Sequence, residues 1–529
     1  MATAIPSNTA RFSVWELAAV TGGELTQLPD DRATAVGIAT DSRAVVPGQG
    51  FVAISGERLD GHDFVDAAVA SGASVVVVEH GRIVASKGVA VVEVDSGLAA
   101  FGRLACAHVR RWRRNRPGAR IAAITGSAGK TTTKELLSAI LSAVGPCHAT
   151  TGNLNNRVGL PAVALGLLDQ ASAVFELGMS MPGEIAELAG IVLPDVAVLL
   201  NVGVAHAEGF GGSRAGIARE KGAIFEALSE RGVAVVNADD PAAEAQLTRT
   251  SARHVRFGTT ERADVRLVGR KATGAGSRVT LVRAGETFDV ALPIPGEAAA
   301  LDLAAAVAAA DATCGSPIPA SVIFAAVGGW TPPAGRSVVF ELESDVWVLD
   351  DSYNANPASM RAAFETLAEL RSAGRRRAIC VLGEMRELGP LSHGEHDAIG
   401  EELVRHRFDL VIGCGGAVDV ALRRAEQGGL AVRRAEHAEQ AGELVASLVG
   451  PGDVVLFKGS RGAAVERGLA ILEAIRRQDY DVWTSRPTIN RRQKLRLLAS
   501  CRWRLWRGTF MERYARDPLP SDEDADATE

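Results

Sequence analysis

The residues whose types and spacing most clearly predict chemistry lie in the run IAAITGSAGKTTTKELL, from Ile121 to Leu137. An apolar segment typical of a strand ends at Thr125, small residues and glycines follow, and a helical pattern begins at Lys130. Such a turn directs backbone N–H groups and a helix N-terminus at an anion, and the Lys and Thr side chains suit phosphate and Mg²⁺. The loop is shorter than a standard phosphate-binding loop, which has a glycine where this chain has Ile124. The sequence therefore predicts a nucleotide phosphate site of an unusual, shortened kind.

Polar side chains follow two consecutive apolar strands of the same region. Glu176 ends the strand in AVFELG, and His206 comes after the strand in VAVLLNVG. Parallel strands bring their carboxyl ends to one edge of a sheet, so both side chains are expected beside the glycine loop. One such residue is usually only a satisfied polar group, but the two together favour metal ligation for phosphoryl transfer. Lys221 lies in the helical run IAREKGAIFEAL, where periodicity supports no more than a surface lysine.

Two further segments are dense in side-chain amides. The run TTGNLNNRVGLP places three asparagines and an arginine between glycines, and LDDSYNANPASM follows a strand near Asp350. Asn and Gly are also common turn formers, so ordinary loops explain both runs. The density of donors and acceptors at strand ends equally suits the recognition of a polar ligand.

The elements that must position these residues alternate between apolar strands and helices in three consecutive segments. This alternation predicts an α/β fold with parallel sheets covered by helices. We expect an N-terminal α/β domain at 1–117, a central P-loop parallel-sheet domain at 118–334 and a C-terminal Rossmann-like domain at 335–480. A β-rich insert is expected to close the central domain before an Ala-rich helix, and residues 481–529 form a separate tail.

Composition narrows the functional classes. The net charge of −6 argues against a nucleic-acid binder, and no signal peptide or apolar spanning run is evident, so a cytoplasmic protein is predicted. Within the tail, residues 486–516 carry ten Lys or Arg and one acidic residue. This basic segment is interpreted either as a peripheral contact with an anionic membrane or cell-wall enzymes, or as a solvated appendage.

Taken together, these motifs resemble those of the Mur ligase family of ATP-dependent amide ligases. The resemblance rests on TGSAGKTT, GNLNNRVGLP, ELGMSMPGEI, AHAEGFGG, AREKGAIF, NADDP, DDSYNANPASM, LGEMRELG and FKGSRGAA, and on TDSRAVVPGQGFVAISGERLDGHDF near the N-terminus. GNLNN and DDSYNANP are most similar to the motifs of members that join D-alanyl-D-alanine to UDP-N-acetylmuramoyl-tripeptide. The resemblance covers residues 41–464.

The resemblance implies roles for individual residues. It implies catalytic roles for Lys130, Glu176, His206 and Lys221. It assigns the ATP phosphates and nucleotide to Gly126, Ser127, Ala128, Gly129, Lys130, Thr131, Thr132, Arg336 and Asp351. It assigns Mg²⁺, in two sites, to Thr131, Glu176, His206 and Lys221, with Lys221 carbamylated. It assigns the uridylyl-peptide and acceptor substrates to Asp41, Ser42, Arg43, Asn153, Asn156, Tyr353, Asn354 and Asn356.

The implied reaction is a carbon–nitrogen ligation in cytoplasmic peptidoglycan precursor synthesis, through an acyl phosphate. Two alternatives stay open: another amino acid ligase of the superfamily, for example one that extends folate with glutamate, and a divergent partner protein that binds nucleotide without turnover. One departure from the family's motifs motivates the second alternative, the protein without turnover. Where the family has a PG-x-H-N-x-x-N helix, this chain has Ala298 and Ala299 at the His-Asn positions and Asp302 at the later Asn.

Overall fold

The computed structural model describes residues 3–56, 59–82, 84, 88–342, 345–374 and 377–477. Four sheets organise these residues into a first unit built on β1–β7, a central unit built on β8–β16 and a third unit built on β17–β22. The three units follow one another along the chain, as the alternating sequence pattern predicts.

The first unit is a small α/β layer at the N-terminus. Its elements are β1 (Arg11–Ser13), α1 (Val14–Thr21), β2 (Glu24–Gln27), β3 (Thr34–Val36), β4 (Ile38–Ala39), β5 (Gly50–Val52), α2 (Val65–Ala70), β6 (Val75–Glu79), β7 (Ala90–Val94) and α3 (Gly97–Asn115). The main sheet has the order β2-β7-β6-β5-β4, with β2 antiparallel to β7, while β1 and β3 form a separate pair. Helix α3 buries an apolar face that includes Phe101, Leu104 and Trp112.

Helix α3 also joins the first unit to the central one. Its Arg-rich end is held by Arg113, whose guanidinium donates to Asp195 at 2.8 Å. The same Asp195 carboxylate accepts the backbone N–H of Ile121 at 2.8 Å, at the start of the strand that leads to the glycine loop. This arginine therefore has a structural role.

The central unit carries the glycine loop. Its elements are β8 (Arg120–Thr125), α4 (Lys130–Ser142), β9 (Cys147–Ala149), α5 (Gly159–Ala164), β10 (Ser172–Glu176), α6 (Glu184–Val192), β11 (Val196–Leu199), α7 (Arg214–Glu226), β12 (Val233–Asn237), α8 (Pro241–Glu244), β13 (Arg253–Gly258), β14 (Val265–Thr273), β15 (Gly276–Arg283), β16 (Glu286–Leu292), α9 (Glu297–Cys314) and α10 (Ala320–Gly328). The sheet order is β16-β15-β14-β13-β12-β11-β8-β10-β9. Within this order, every neighbouring pair from β13-β14 to β10-β9 is parallel, including the pairs made by β8. The β14-β15 and β15-β16 pairs are antiparallel, so the β-rich insert extends the same sheet.

Successive residues of β8 face opposite layers of helices, as expected for a strand buried on both sides. Ile121 and Ala123 belong to the apolar core that includes α3, α6 and α7. Ala122 and Ile124 belong to the opposite core, which includes α4 and the Ala-rich helix α9. The loop that follows β8 is therefore held between two packed layers at the centre of the sheet.

The third unit is a second wound sheet. Its elements are β17 (Val338–Leu342), β18 (Val346–Asp350), α11 (Pro357–Ser372), β19 (Ala378–Gly383), α12 (Ser392–His406), β20 (Leu410–Cys414), α13 (Val418–Gln427), β21 (Val432–Ala435), α14 (Ala438–Leu448), β22 (Val454–Lys458) and α15 (Glu466–Arg477). The order is β17-β18-β22-β19-β20-β21, parallel except for the β17–β18 edge. No helix in the described residues is long and apolar enough to cross a membrane. The basic segment 486–516 lies outside the described residues.

Candidate active site at the carboxyl ends of the central strands

The glycine loop, residues 126–129, connects β8 directly to α4, as the sequence predicts. Gly129 has φ of 83°, a left-handed conformation that disfavours other residues. A Cβ at Gly129 would also lie 2.1 Å from Oδ1 of Asp302, and one at Gly126 would lie 2.8 Å from the Leu200 side chain. Both glycines are thus required by conformation or by close packing.

Asn201, which follows β11, fixes the shape of this loop. Its Oδ1 accepts the backbone N–H groups of Ser127 at 3.0 Å and Ala128 at 2.9 Å. From the third unit, Asn356 donates its side-chain amide to the Ser127 carbonyl at 3.1 Å. The loop is therefore held in one conformation by hydrogen bonds from two units.

Two lysines converge on a single carbonyl oxygen of the loop. The Nζ atoms of Lys130 and Lys221 donate to the Gly126 carbonyl at 2.7 and 3.1 Å. Interpreting Lys221 as a surface lysine is wrong, because it is only 1% exposed. Burial, and then the charge of Lys130, hold the pKa of Lys221 well below its usual value. Burial also lowers the pKa of Lys130, against the opposing effect of the Glu176 charge.

Glu176 lies beside the loop because β10 pairs with β8 and places Glu176 opposite Ile124. The side chain is 2% exposed, and both carboxylate oxygens have partners. Oε2 accepts the Thr131 hydroxyl at 3.0 Å, and Oε1 accepts the Asn155 amide at 2.7 Å. Asn153 and Asn156 of this run were predicted to bind substrate, whereas no role was predicted for Asn155.

The Thr131 and Glu176 oxygens fit a magnesium ion. Neighbouring ligands of an octahedral Mg²⁺ are about 2.9 Å apart, because each bond is about 2.0–2.1 Å long. The distance of 3.0 Å between Thr131 Oγ1 and Glu176 Oε2 matches that separation. The described part of the chain has no group of three or more His, Cys, Asp or Glu side chains placed to hold a metal, so any ion there would also need hydroxyl, water or phosphate ligands.

His206 lies in a left-handed conformation, with φ of 62°, just before a short 3-10 helix at Ala207–Phe210. Its Nδ1 pairs with a carboxylate oxygen of Glu387, which belongs to the third unit. Glu387 belongs to the LGEMRELG motif, and no role was predicted for it from the sequence.

The third unit also contacts the central site through Arg336. Its guanidinium donates to the Thr131 hydroxyl at 3.2 Å and lies 4.0 Å from the Tyr353 ring centre. Asp351 is engaged within its own unit, since it pairs with Lys458 and accepts the Ser337 N–H at 3.2 Å. Arg336 thus brings a positive charge to the phosphate end of the site.

The predicted substrate-binding asparagines all accept hydrogen bonds, and Asn156, Asn354 and Asn356 accept them from residues close in the chain. Asn153 accepts the Thr3 hydroxyl at 2.7 Å, and Asn156 accepts the Gly159 N–H at 2.8 Å at the start of α5. Asn354 accepts the adjacent Ala355 N–H at 2.9 Å. Asn356 caps α11 by accepting the Ser359 N–H at 2.9 Å. These bonds order the loops that follow the strands.

The N-terminal candidates lie in the first unit. Asp41 caps the 3-10 helix Ser42–Ala44 and forms an ion pair with Arg43 at 2.7 Å. The side chain of Arg43 is 88% exposed. Among the described residues, the hydrogen bonds of this pair stay within the first unit.

Asp302, which departs from the family pattern, borders the glycine loop. Its carboxyl occupies the space beside Gly129. Burial raises the pKa of Asp302 well above its usual value, while the nearby Thr133 hydroxyl and the Arg336 charge oppose that shift. Asp302 therefore packs against the loop that is predicted to bind phosphate.

The fold and this geometry define a multi-unit enzyme class with a shortened phosphate loop, and the chain belongs to the Mur ligase family. Models of the Mur ligase middle domain, the glutamate ligase domain and the catalytic domain match residues 124–310, 335–461 and 34–109. UDP-N-acetylmuramoyl-tripeptide--D-alanyl-D-alanine ligase of Escherichia coli K12 is 35% identical, over 82% of this chain and 93% of that protein.

Solved structures agree with this assignment. MurF from Acinetobacter baumannii superposes with a TM-score of 0.78 and 32% identity, covering 89% of this chain and all of that one. MurF ligase from Thermotoga maritima in complex with ADP superposes with a TM-score of 0.74 and 30% identity, covering 84% and 98%. The predicted family and three-domain α/β fold are confirmed, and the ADP complex supports ATP binding in this family.

Proposed function

We propose that this chain joins D-alanyl-D-alanine to UDP-N-acetylmuramoyl-tripeptide at the expense of ATP, in peptidoglycan precursor synthesis. The observation that carries the proposal is the Thr131 hydroxyl, which contacts both Glu176 of the central unit and Arg336 of the third unit. A phosphate site completed from two units suits a ligase that closes around ATP and an acceptor. The names of the relatives support this choice over folate extension or a non-catalytic role.

The reaction needs an activated carboxylate, because a peptide carboxylate is a poor electrophile. Its oxygen attacks the γ-phosphorus of ATP, which releases ADP and leaves an acyl phosphate. The amine of D-alanyl-D-alanine then attacks the acyl carbon, phosphate departs, and the amine loses a proton. Lys130 and Arg336 offset the negative charge on the transferring group, and closure of the units excludes water from the acyl phosphate.

Two magnesium ions, one held by Thr131 and Glu176 and a second held by His206, would supply further charge neutralisation at the phosphates. We also propose that Lys221 is carbamylated and supports the second ion. Carbamylation joins a neutral amine to CO₂ and releases one proton, and the lowered pKa of buried Lys221 favours the neutral amine. The carbamate would also place a negative group beside Lys130, whose Nζ shares the Gly126 carbonyl with Lys221.

We further propose that each of the three domains binds a different part of the reacting complex. The N-terminal domain, residues 1–117, would bind the UDP end of the substrate through Asp41, Ser42 and Arg43. The central domain, residues 118–334, would bind ATP, and the C-terminal domain, residues 335–480, would close over the substrate and ATP. Asn153 and Asn156 would border the peptide, and Tyr353, Asn354, Asn356 and Asp351 would act from the third unit.

Residues 481–529, with the basic segment 486–516, would make a peripheral membrane or cell-wall-enzyme contact. Co-sedimentation with anionic liposomes, with and without residues 478–529, tests that contact, and equal binding by both proteins would contradict it.

Phosphate release tests the ligase function. We expect release only when ATP, UDP-N-acetylmuramoyl-tripeptide and D-alanyl-D-alanine are all present, with a product of the corresponding mass. The Lys130→Ala variant gives the background rate of phosphate release. Release with glutamate or a single amino acid as acceptor would indicate another ligase, and a wild-type rate equal to Lys130→Ala would indicate a non-catalytic protein.

A further inference from the structure

The contact between His206 and Glu387 joins two turns from different units. Besides the side-chain pair, the backbone N–H of Glu208 donates to the Glu387 carbonyl at 3.1 Å. Gly389 packs so closely that a Cβ there would lie 2.9 Å from the Cα of Glu208. The third unit is therefore docked at this turn by backbone, side-chain and packing contacts.

Both members of the pair adopt a backbone conformation that is uncommon for their residue types. His206 and Glu387 each have φ of 62°, in the left-handed region. Such conformations persist where the surrounding structure holds them, and they concentrate at functional sites. Here each strained turn directs its side chain at the other unit.

The chemistry of the pair determines which ring nitrogen of His206 is free. An ionised carboxylate only accepts hydrogen bonds, so Nδ1 must be the protonated nitrogen when it faces Glu387. In the neutral ring the lone pair is then on Nε2, which has no hydrogen-bond partner among the described residues. Histidines that bind metals commonly donate their other N–H to a carboxylate, which fixes the tautomer and the ring orientation.

We propose that Glu387 is a positioning residue that holds His206 as an Nε2 metal ligand only when the third unit is docked. This inference rests on the proposed function, since it takes His206 as a ligand of the second magnesium ion. It makes the metal site dependent on closure: when the units separate, His206 loses the carboxylate that orients it. ATP is then activated only in the closed arrangement.

Glu426 offers a matched control. Its side chain, like that of Glu387, is 56% exposed and ion-paired, but its partner Arg434 lies within the third unit. Glu387→Ala, Glu387→Gln and Glu426→Gln should be compared with the wild type, after thermal unfolding has shown that each variant folds. In Glu387→Gln the amide oxygen can still accept from Nδ1, so this variant separates hydrogen bonding from charge.

The first measurement is the tautomer of His206 in the metal-free protein, from long-range ¹H–¹⁵N correlations of ¹⁵N-histidine, with a His206→Gln protein used for assignment. We expect Nδ1 protonation in the wild type and Glu426→Gln, a mixed or Nε2-protonated ring in Glu387→Ala, and a partial change in Glu387→Gln. A wild-type tautomer in Glu387→Ala would overturn the proposal.

The second measurement is the Mg²⁺ concentration for half-maximal phosphate release. We expect an increase of about 10- to 100-fold in Glu387→Ala, a smaller one in Glu387→Gln and none in Glu426→Gln. A lower kcat with unchanged magnesium dependence would assign Glu387 to docking alone and overturn the proposal. If the wild type releases no phosphate, the ligase function itself has failed, and the tautomer measurement still decides the role of Glu387.

Discussion

Two of the candidate metal-binding side chains, Glu176 and His206, are positioned in different ways. Glu176 is 2% exposed, ends a central strand and accepts side-chain hydrogen bonds from Thr131 and Asn155 of its own unit. The His206 side chain is 25% exposed, lies in a strained turn and pairs with a residue of the third unit. One half of the site is thus preformed by the sheet, while the other half depends on contact between units. On the proposed function, such a division would let ATP bind before closure and would delay chemistry until closure is complete.

The largest effect is expected at the preformed half. Glu176→Gln should lower kcat on the order of 10³-fold, because it removes a charged metal ligand from a site that depends on electrostatic stabilisation. In the variant the amide oxygen can accept from Asn155 and the amide N–H can donate to the Thr131 oxygen, so thermal unfolding should change little. The kcat is measured from steady-state phosphate release with both substrates. A decrease in kcat of less than tenfold would contradict the assignment of Glu176 as a metal ligand.

A second variant tests how the preformed half is held. Asn155→Ala removes the amide that orients the Glu176 carboxylate, and we expect the magnesium requirement to rise about 10- to 100-fold. Asn155 lies in the central unit, so compaction on substrate binding, measured by small-angle X-ray scattering, should be unchanged. If compaction were lost instead, the two halves of the site would not be independent.

The closure-dependent half can be tested through its packing. Gly389→Ala places a Cβ against Glu208 at a residue with φ of 52°, so docking of the third unit should weaken. We expect kcat to fall about tenfold, the equivalent of roughly 1.4 kcal/mol, with unchanged ATP affinity by isothermal calorimetry. An equal loss of ATP affinity would show that nucleotide binding also requires docking.

The smallest effect is expected on stability at Asp302. In the folded state its pKa is raised, so stability falls as pH rises from the ordinary value of 3.8 through the raised value. Asp302→Asn cannot ionise and should be more stable by on the order of 1 kcal/mol near pH 8, with the advantage vanishing below pH 4. The free energy of unfolding in urea, measured for both proteins from pH 4 to pH 8, gives this difference in stability. A variant less stable at high pH would mean that the Arg336 charge outweighs burial.

Much of the fold followed from local patterns. The apolar strands, the glycine loop and the start of α4 at Lys130 were predicted because each depends on residues close in sequence. The β-rich insert was recognised, but its continuation of the central sheet was not, since strand order depends on contacts between distant segments.

The site was predicted less completely. Helical spacing could not reveal that Lys221 is buried, because the layer covering it comes from other parts of the chain. Within GNLNN the composition suggested recognition but could not select Asn155, whose partner Glu176 lies on another strand. Asp302 was noted only as a departure, and its place against Gly129 became evident from the packing of α9.

The sequence by itself determined the family, the α/β architecture and the phosphate chemistry, because these depend on short motifs and on apolar periodicity. Only the tertiary structure decided that Asn201 shapes the loop, that Lys130 and Lys221 share one carbonyl and that Glu387 faces His206. These contacts join residues far apart in the chain, so their distances are set by how the sheets and units pack. The motif supplies the chemical groups, and the packing of the units decides which of them meet.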